Sequence, residues 1–147
     1  MPTLATNKRA KFDYELIEEF EAGLKLTGAE VKSIKGGHAQ IERAFVSISA
    51  EGAWLKGAHV STYKPAGPHL DYDAERDRKL LLHKREINRL LGKSHEAGLT
   101  FVPISLYTKG DLVKLSFALA RGKRKFEKRE TIKTREFKRE RDRLIKE

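Results

Sequence analysis

Four carboxylates, Glu15, Glu18, Glu19 and Glu21, crowd one short stretch of the 147-residue chain. Paired acids of this kind hold the metal of a divalent-metal-dependent nuclease, so cleavage of RNA is a reading to weigh. Their spacing also fits a plainer arrangement. Tyr14, Leu16, Phe20, Ala22, Leu24 and Leu26 share one parity, whereas Glu15, Glu19, Glu21 and Lys25 share the other. Period two over so many positions predicts a long half-buried strand bent at Gly23, with its acids on the wet face. Glu18 breaks the alternation, and a helix over Tyr14 to Phe20 stays open. His83 and Glu86 stand one helical turn apart, a spacing two metal ligands can use. The remaining histidines, His38, His59, His69 and His95, are scattered, so neither a metal nor a cofactor is expected. Phosphate-cradling glycine loops, a Gly-x-Ser-x-Gly elbow and a triad are all lacking, and no catalytic residue is assigned. A binder is expected rather than an enzyme.

The basic residues suggest what is bound. Net charge is +10, and residues 121–147 carry 13 Lys/Arg against six Asp/Glu. An excess of this kind recruits polyanions. Further basic surfaces are NKRAK (Asn7 to Lys11, including Lys8 and Arg9), Lys32 with Lys35, and RDRKLLLHKRE (Arg76 to Glu86). Several such surfaces, without a row of aromatics, favour a folded or duplex-like RNA over an unstructured strand. No apolar run approaches a membrane span, and the first residues lack the apolar segment of a signal peptide. With no cysteine, the chain fits a reducing cytoplasm. Neither membrane nor DNA is an expected partner.

The elements that must present these residues follow from pattern. AEVKSIKGG reads as a short helix with Val31 and Ile34 inward and Lys32 and Lys35 outward. AFVSIS and AWLKGAHV read as a hairpin turning near Gly52, and LTFVPISLY and LVKLSFALA as a second one turning at Gly110. In the latter, Val113, Leu115, Phe117 and Leu119 share one face, and Lys114, Ser116 and Ala118 the other. Between the hairpins, a loop over KPAGPHLDYD leads to a helix capped by Asp73, running to about Leu91 and closed by Gly92. The expected class is mainly β with helices: a small antiparallel barrel of five or six strands, of the oligonucleotide-binding type, with flanking helices. The body spans residues 1–120. Residues 121–147 form a basic tail with too few apolar side chains to fold alone, expected to be disordered when free and helical along a polyanion.

These motifs resemble the SsrA-binding protein family, also called small protein B, the partner of transfer-messenger RNA in bacterial ribosome rescue. The resemblance rests on NKRAKFDY, EEFEAGLKLTGAEVKSIKGG, RDRKLLLHKREINRLLG, GLTFVPISLY and ALARGKRKFEKRETIKTRE, in order along nearly the whole chain. It implies a barrel that binds the tRNA-like domain of that RNA, and a tail that lies as a helix in the empty messenger channel near the decoding centre. It also implies an adaptor that does no covalent chemistry and helps bring alanyl transfer-messenger RNA, carried by elongation factor Tu, to the A site. The RNA-contact positions carried over by the resemblance are Asn7, Glu21, Leu81 and Lys114; Lys8, Arg9 and Lys32 join them as basic residues of the same surfaces. In the tail, the family pattern of Gly-Lys followed by an acidic-Lys-Arg triplet matches Gly122, Lys123, Glu127, Lys128 and Arg129. Phe126 stands where some members carry histidine, and Phe137, Leu144 and Ile145 occupy the bulky positions. Arg121, Arg124, Lys133 and Arg135 complete the basic set expected to face the ribosome. A structural ribosomal protein with an rRNA-penetrating tail is the competing reading, and a metal-dependent RNA nuclease the more distant one.

Overall fold

The computed structural model describes residues 3–63, 72–96, 98–123, 135 and 139. Three strands of 11 residues dominate: β2 (Tyr14–Leu24), β8 (Leu99–Lys109) and β9 (Leu112–Gly122). Shorter strands are β1 (Thr3–Thr6), β3 (Ala39–Gln40), β4 (Phe45–Ser49), β5 (Gly52–Lys56), β6 (His59–Val60) and β7 (Arg78–Leu81). The helices are α1 (Ala10–Asp13), α2 (Gly28–Lys35) and α3 (Lys84–Ser94).

The main sheet runs β1-β8-β4-β5-β7-β2-β9, and β9 returns to pair with β8, so six strands close into an antiparallel barrel with β1 added beside β8. Closure removes the open edges that a small sheet otherwise exposes. β3 and β6 form a separate two-stranded ribbon. The interior is filled by Leu115, Phe117, Leu106, Leu80, Leu55 and Phe101, all at most 2% exposed. Phe20, Phe101 and Phe117 meet ring to ring at 5.5–6.2 Å.

Both expected hairpins form. The β8–β9 turn places Gly110 at φ +62, where a side chain is disfavoured, and register then follows from Lys109 opposite Leu112. β2 is a strand, not a helix, and its burial alternates from Tyr14 to Glu21. The break at Glu18 coincides with a bulge between Leu16 and Glu18 in the β2–β9 ladder. There Glu18 turns to α3, accepting from Arg89 at 2.9 Å and from Lys93, whose ammonium also stands 5.8 Å over the Phe20 ring.

α2 begins at a reciprocal cap. Thr27 Oγ1 accepts from the Glu30 amide at 3.2 Å, and Glu30 Oε1 accepts from the Thr27 amide at 3.0 Å. As expected, Ile34 is buried and Lys32 and Lys35 are exposed.

The long helix from Asp73 does not exist. Asp73 accepts from the Glu75 amide at 2.9 Å in a local turn, Arg78 to Leu81 form β7, and the helix starts only at Lys84 after His83. Gly92 lies within that helix, which runs on to Ser94. The physical cause is Arg78, which is 0% exposed and spends all its donors inside the protein. It reaches Glu30 at 2.7 Å, Ala58 O at 2.7 Å, Ala74 O at 3.0 Å, Arg76 O at 3.2 Å and the Tyr72 hydroxyl at 3.2 Å. With Arg78 and Leu80 inward and Lys79 and Leu81 outward, the segment obeys a period of two.

Two smaller departures matter for the site. Ala118, expected on the wet face of β9, is fully buried, as are its neighbours from Phe117 to Ala120, so the sheet is covered on both faces there. β9 also continues beyond Ala120: Tyr14 pairs with Gly122, and the Lys123 amide donates to Asp13 O at 2.8 Å.

Candidate nucleic-acid interface

The turn-bearing end of the barrel brings together three of the expected RNA-contact residues. Gly23 pairs with Leu81 across β2–β7 and with Lys114 across β2–β9. A Cβ at Gly23 would stand 3.5 Å from Leu81 Cβ and 3.6 Å from Lys114 Nζ, so its absence lets these two side chains close over the strand. Leu81 is 54% exposed, an apolar surface beside a cation. Two residues before Gly23, Glu21 accepts from the Tyr107 hydroxyl and lies 3.5 Å from Lys109 Nζ. Tyr107 in turn pairs with Lys114 across the hairpin.

The electrostatics of this cluster keep Glu21 charged. The Tyr107 hydrogen bond, together with the fields of Lys109 and Lys114, holds its carboxyl below the usual range despite slight desolvation. Partial burial, then the bond to Glu21, pushes the Tyr107 hydroxyl up, so it remains a proton donor. The result is an exposed anion ringed by cations, able to accept from base or ribose donors without repelling a phosphate backbone.

Asn7 has a different place. It is buried, its Nδ2 donates to Pro103 O at 2.9 Å, its amide donates to Ile104 O at 2.7 Å, and its Oδ1 accepts from the Arg9 amide at 3.3 Å. Its side chain therefore ties the turn before α1 to β8, while Lys8 and Arg9 beside it are exposed. Three or four β8 residues separate this tie from Tyr107, about 10–13 Å along the strand. Lys32 is not gathered into the cluster; its ammonium stands 5.5 Å over the Tyr63 ring.

Cations of the body divide into two sets. Lys56, Arg76, Arg78, Arg89, Lys93, Lys109 and Arg121 each sit within ion-pair distance of a carboxylate. Lys8, Arg9, Lys11, Lys25, Lys32, Lys35, Arg43, Lys79, Lys84, Arg85 and Lys114 make no ion pair among the described residues. Three of the four acids of β2 go to separate partners: Glu15 holds Arg121, Glu18 holds Arg89 and Lys93, and Glu21 holds Tyr107 and Lys109, while Glu19 lines one groove with Glu21. Among the described residues, no group of three His, Asp or Glu side chains is placed to hold a metal ion.

Of the tail positions, Arg121 and Gly122 belong to β9 and Lys123 follows directly. Arg135 is helical and exposed, its guanidinium 5.8 Å over the Phe12 ring of α1. Arg124, Phe126, Lys128, Arg129, Lys133, Phe137, Leu144 and Ile145 lie outside the described residues. Tyr107 and Lys109 were not singled out by sequence reasoning. The signal was present in SLYTKGD, because a two-residue turn at Gly110 fixes Tyr107 opposite Lys114.

With this geometry in view, the comparisons with known proteins are specific. The SmpB protein family matches residues 4–147. The SsrA-binding protein of Thermosynechococcus vestitus is 46% identical over 144 residues, 98% of this chain and 95% of that protein. That of Persephonella marina is 50% identical over 137 residues, 93% of this chain and 90% of that protein. A solved chain from work on tmRNA-SmpB and the bacterial ribosome superposes with a TM-score of 0.67 at 38% identity, covering 86% of this chain and 92% of its own length. Matched from residue 4 to residue 147, the chain belongs to the SmpB family of SsrA-binding proteins.

Proposed function

We propose that this protein is the RNA-binding adaptor of trans-translation. Its barrel, up to Lys123, binds the tRNA-like domain of transfer-messenger RNA through the Glu21, Leu81 and Lys114 end, flanked by Lys8 and Arg9. The basic tail after the barrel occupies the messenger channel of a stalled ribosome near its decoding centre, and the complex enters the A site with elongation factor Tu and alanyl transfer-messenger RNA. The protein acts in the cytoplasm and breaks no covalent bond; its contribution is placement. The observation that carries this reading is the convergence of Glu21, Leu81 and Lys114 around Gly23, from three strands, on one exposed surface.

The test is affinity for the tRNA-like domain against an rRNA fragment of equal length at matched salt. Preference for the tRNA-like domain is expected, retained when the chain is cut after Lys123, whereas peptide tagging on stalled ribosomes is lost with the same cut. Equal affinity for both RNAs would support a structural ribosomal protein instead, and loss of binding on truncation would refute the division between body and tail. Phosphate contacts predict that log affinity falls by about 0.7–0.9 per released counterion as log salt rises.

A further inference from the structure

Glu21 is a carboxylate set among the cations of this surface, and a tyrosine and a lysine hold it there. Its side chain is 40% exposed, with one oxygen bonded to the Tyr107 hydroxyl and the other 3.5 Å from Lys109. A carboxylate offers about four lone-pair sites, so each oxygen keeps acceptor capacity directed outward. Beside it lies an open groove of about 520 Å³, lined by Thr3, Glu19, Phe20, Glu21, Ser105, Tyr107 and Ser116; of its two carboxylates, Glu21 is the one that Tyr107 and Lys109 hold in place. The groove has the scale of a small-molecule pocket and two aromatic side chains at its walls, and unpaired RNA bases are recognised by insertion and hydrogen bonding of their edges.

Which base fits follows from donor geometry. Adenine and cytosine present one amino donor on the pairing edge beside a ring acceptor that a carboxylate repels. Uracil presents one N–H between two carbonyls, and a ribose hydroxyl is a single donor. Guanine alone presents two adjacent parallel donors, N1–H and N2–H, which match the two oxygens of one carboxylate as a bidentate pair. The geometry points to a guanine-specific subsite in this groove: Glu21 reads the N1–H and N2–H edge of an unpaired guanine, and Tyr107 is the positioning residue that fixes the carboxylate in the reading orientation. Lys109 and Lys114 balance the charge of the carboxylate and of the adjoining phosphates. The site deepens the adaptor reading and rests on it, since it makes Glu21 the element that selects one loop nucleotide rather than a general RNA contact.

The experiment uses the full chain and a tRNA-like RNA in which unpaired loop guanines are replaced, one at a time, by inosine, which lacks the N2 amino group. One replacement is expected to weaken wild-type binding by roughly threefold to tenfold, the scale of losing one of the two hydrogen bonds of a bidentate base contact. Glu21→Gln is expected to weaken binding to the unmodified RNA by a similar factor and to be nearly indifferent, within about twofold, to that same inosine, because the two changes remove one interaction. Tyr107→Phe keeps the ring and removes the bond that lowers the Glu21 pKa. Affinity needs the carboxylate, so it is lost as pH falls through that pKa, and this acid limb is expected to move to higher pH in Tyr107→Phe. Wild-type indifference to every inosine, or an undiminished inosine effect in Glu21→Gln, overturns the guanine assignment; an unmoved acid limb overturns the role of Tyr107. Failure of the wild type to prefer the tRNA-like RNA over an unrelated hairpin is a separate outcome that refutes the adaptor reading itself.

Discussion

Replacing Glu30 by alanine should remove a large part of this protein's stability, although Glu30 lies outside the Glu21, Leu81 and Lys114 cluster. Its carboxylate is 1% exposed and accepts from the Thr27 amide, from Arg76, and from the fully buried Arg78 at 2.7 Å. Burial alone raises its pKa, but the bonds from Arg76, Thr27 and Arg78 outweigh it and hold the carboxyl at about 2. Two routes give the magnitude. Removing one partner of a buried ion pair strands the other, at about 3–5 kcal/mol, and losing the reciprocal cap adds about 1 kcal/mol. Independently, a carboxyl held about 2–3 pH units below its ordinary value contributes about 3 kcal/mol through linkage. The agreement supports a loss of about 4 kcal/mol against a total of about 5–15 kcal/mol. In urea, with a slope of about 2 kcal/mol per molar, the midpoint of Glu30→Ala should fall by about 2 M. The sign of the pH effect is fixed: the depressed pKa makes this stability fully present above about pH 4.5 and lost as pH falls toward 2. Wild type should therefore lose about 3 kcal/mol more than Glu30→Gln across that window. Restoring charge balance with Glu30→Gln and Arg78→Met together should recover part of the loss. A midpoint shift below about 0.5 M, or equal acid sensitivity of wild type and Glu30→Gln, would refute the reasoning. Because the network anchors the first residue of β7 and Leu81 is the last, the weakened protein should also bind RNA less well.

Leu81→Ala removes a side chain that is 54% exposed, so thermal stability should stay within about 0.5 kcal/mol while RNA affinity falls severalfold; a matched loss of both would make Leu81 a core residue. Lys114→Ala should weaken RNA binding and reduce the salt slope by about one counterion, read by titration at several salt concentrations. Asn7→Ala should behave in the opposite way, costing about 1–3 kcal/mol in a urea melt because Pro103 O loses its donor, with RNA binding reduced only through the disturbed turn carrying Lys8 and Arg9. Gly110→Val forces a β-branched residue to φ +62 and should cost about 1–2 kcal/mol with the cluster side chains unchanged, measured as a lowered melting temperature.

The parts of this fold that could be read directly from the chain are those in which a long element states its own period. β2, β8 and β9 each have 11 residues, enough for alternation to show through a bulge, and Gly110 announces the turn that sets their register. The six strands that close the barrel match the five or six expected, but β1, β3, β6 and β7 have two to four residues and no period to speak of, so they do not stand out individually in the sequence. The error over β7 is more instructive. Read along the chain, RDRKLLLHKRE has the charge and leucine content of a helix, because a lone sequence cannot reveal that Arg78 is an interior residue. Its partner, Glu30, lies 48 residues away, and only the folded barrel brings the two together.

The same limit explains the site. Glu21 and Lys114 were legible as wet-face residues of two strands, but Asn7 and Leu81 exchange the roles their chemistry suggests. The polar amide is buried and holds the fold, while the leucine is exposed and faces outward. Asn7 is buried because the turn between β1 and α1 needs a side chain that can donate to Pro103 O and accept from the Arg9 amide at once. Leu81 is exposed because Arg78 sets the parity of β7: with Arg78 and Leu80 inward, Leu81 must point out, next to the space that Gly23 leaves open. The apolar member of the proposed RNA-binding cluster is thus placed by a buried ion pair at the other end of its own strand. This predicts that substitutions at Glu30 or Arg78 and substitutions at Leu81 will be coupled in RNA affinity despite the absence of contact between them.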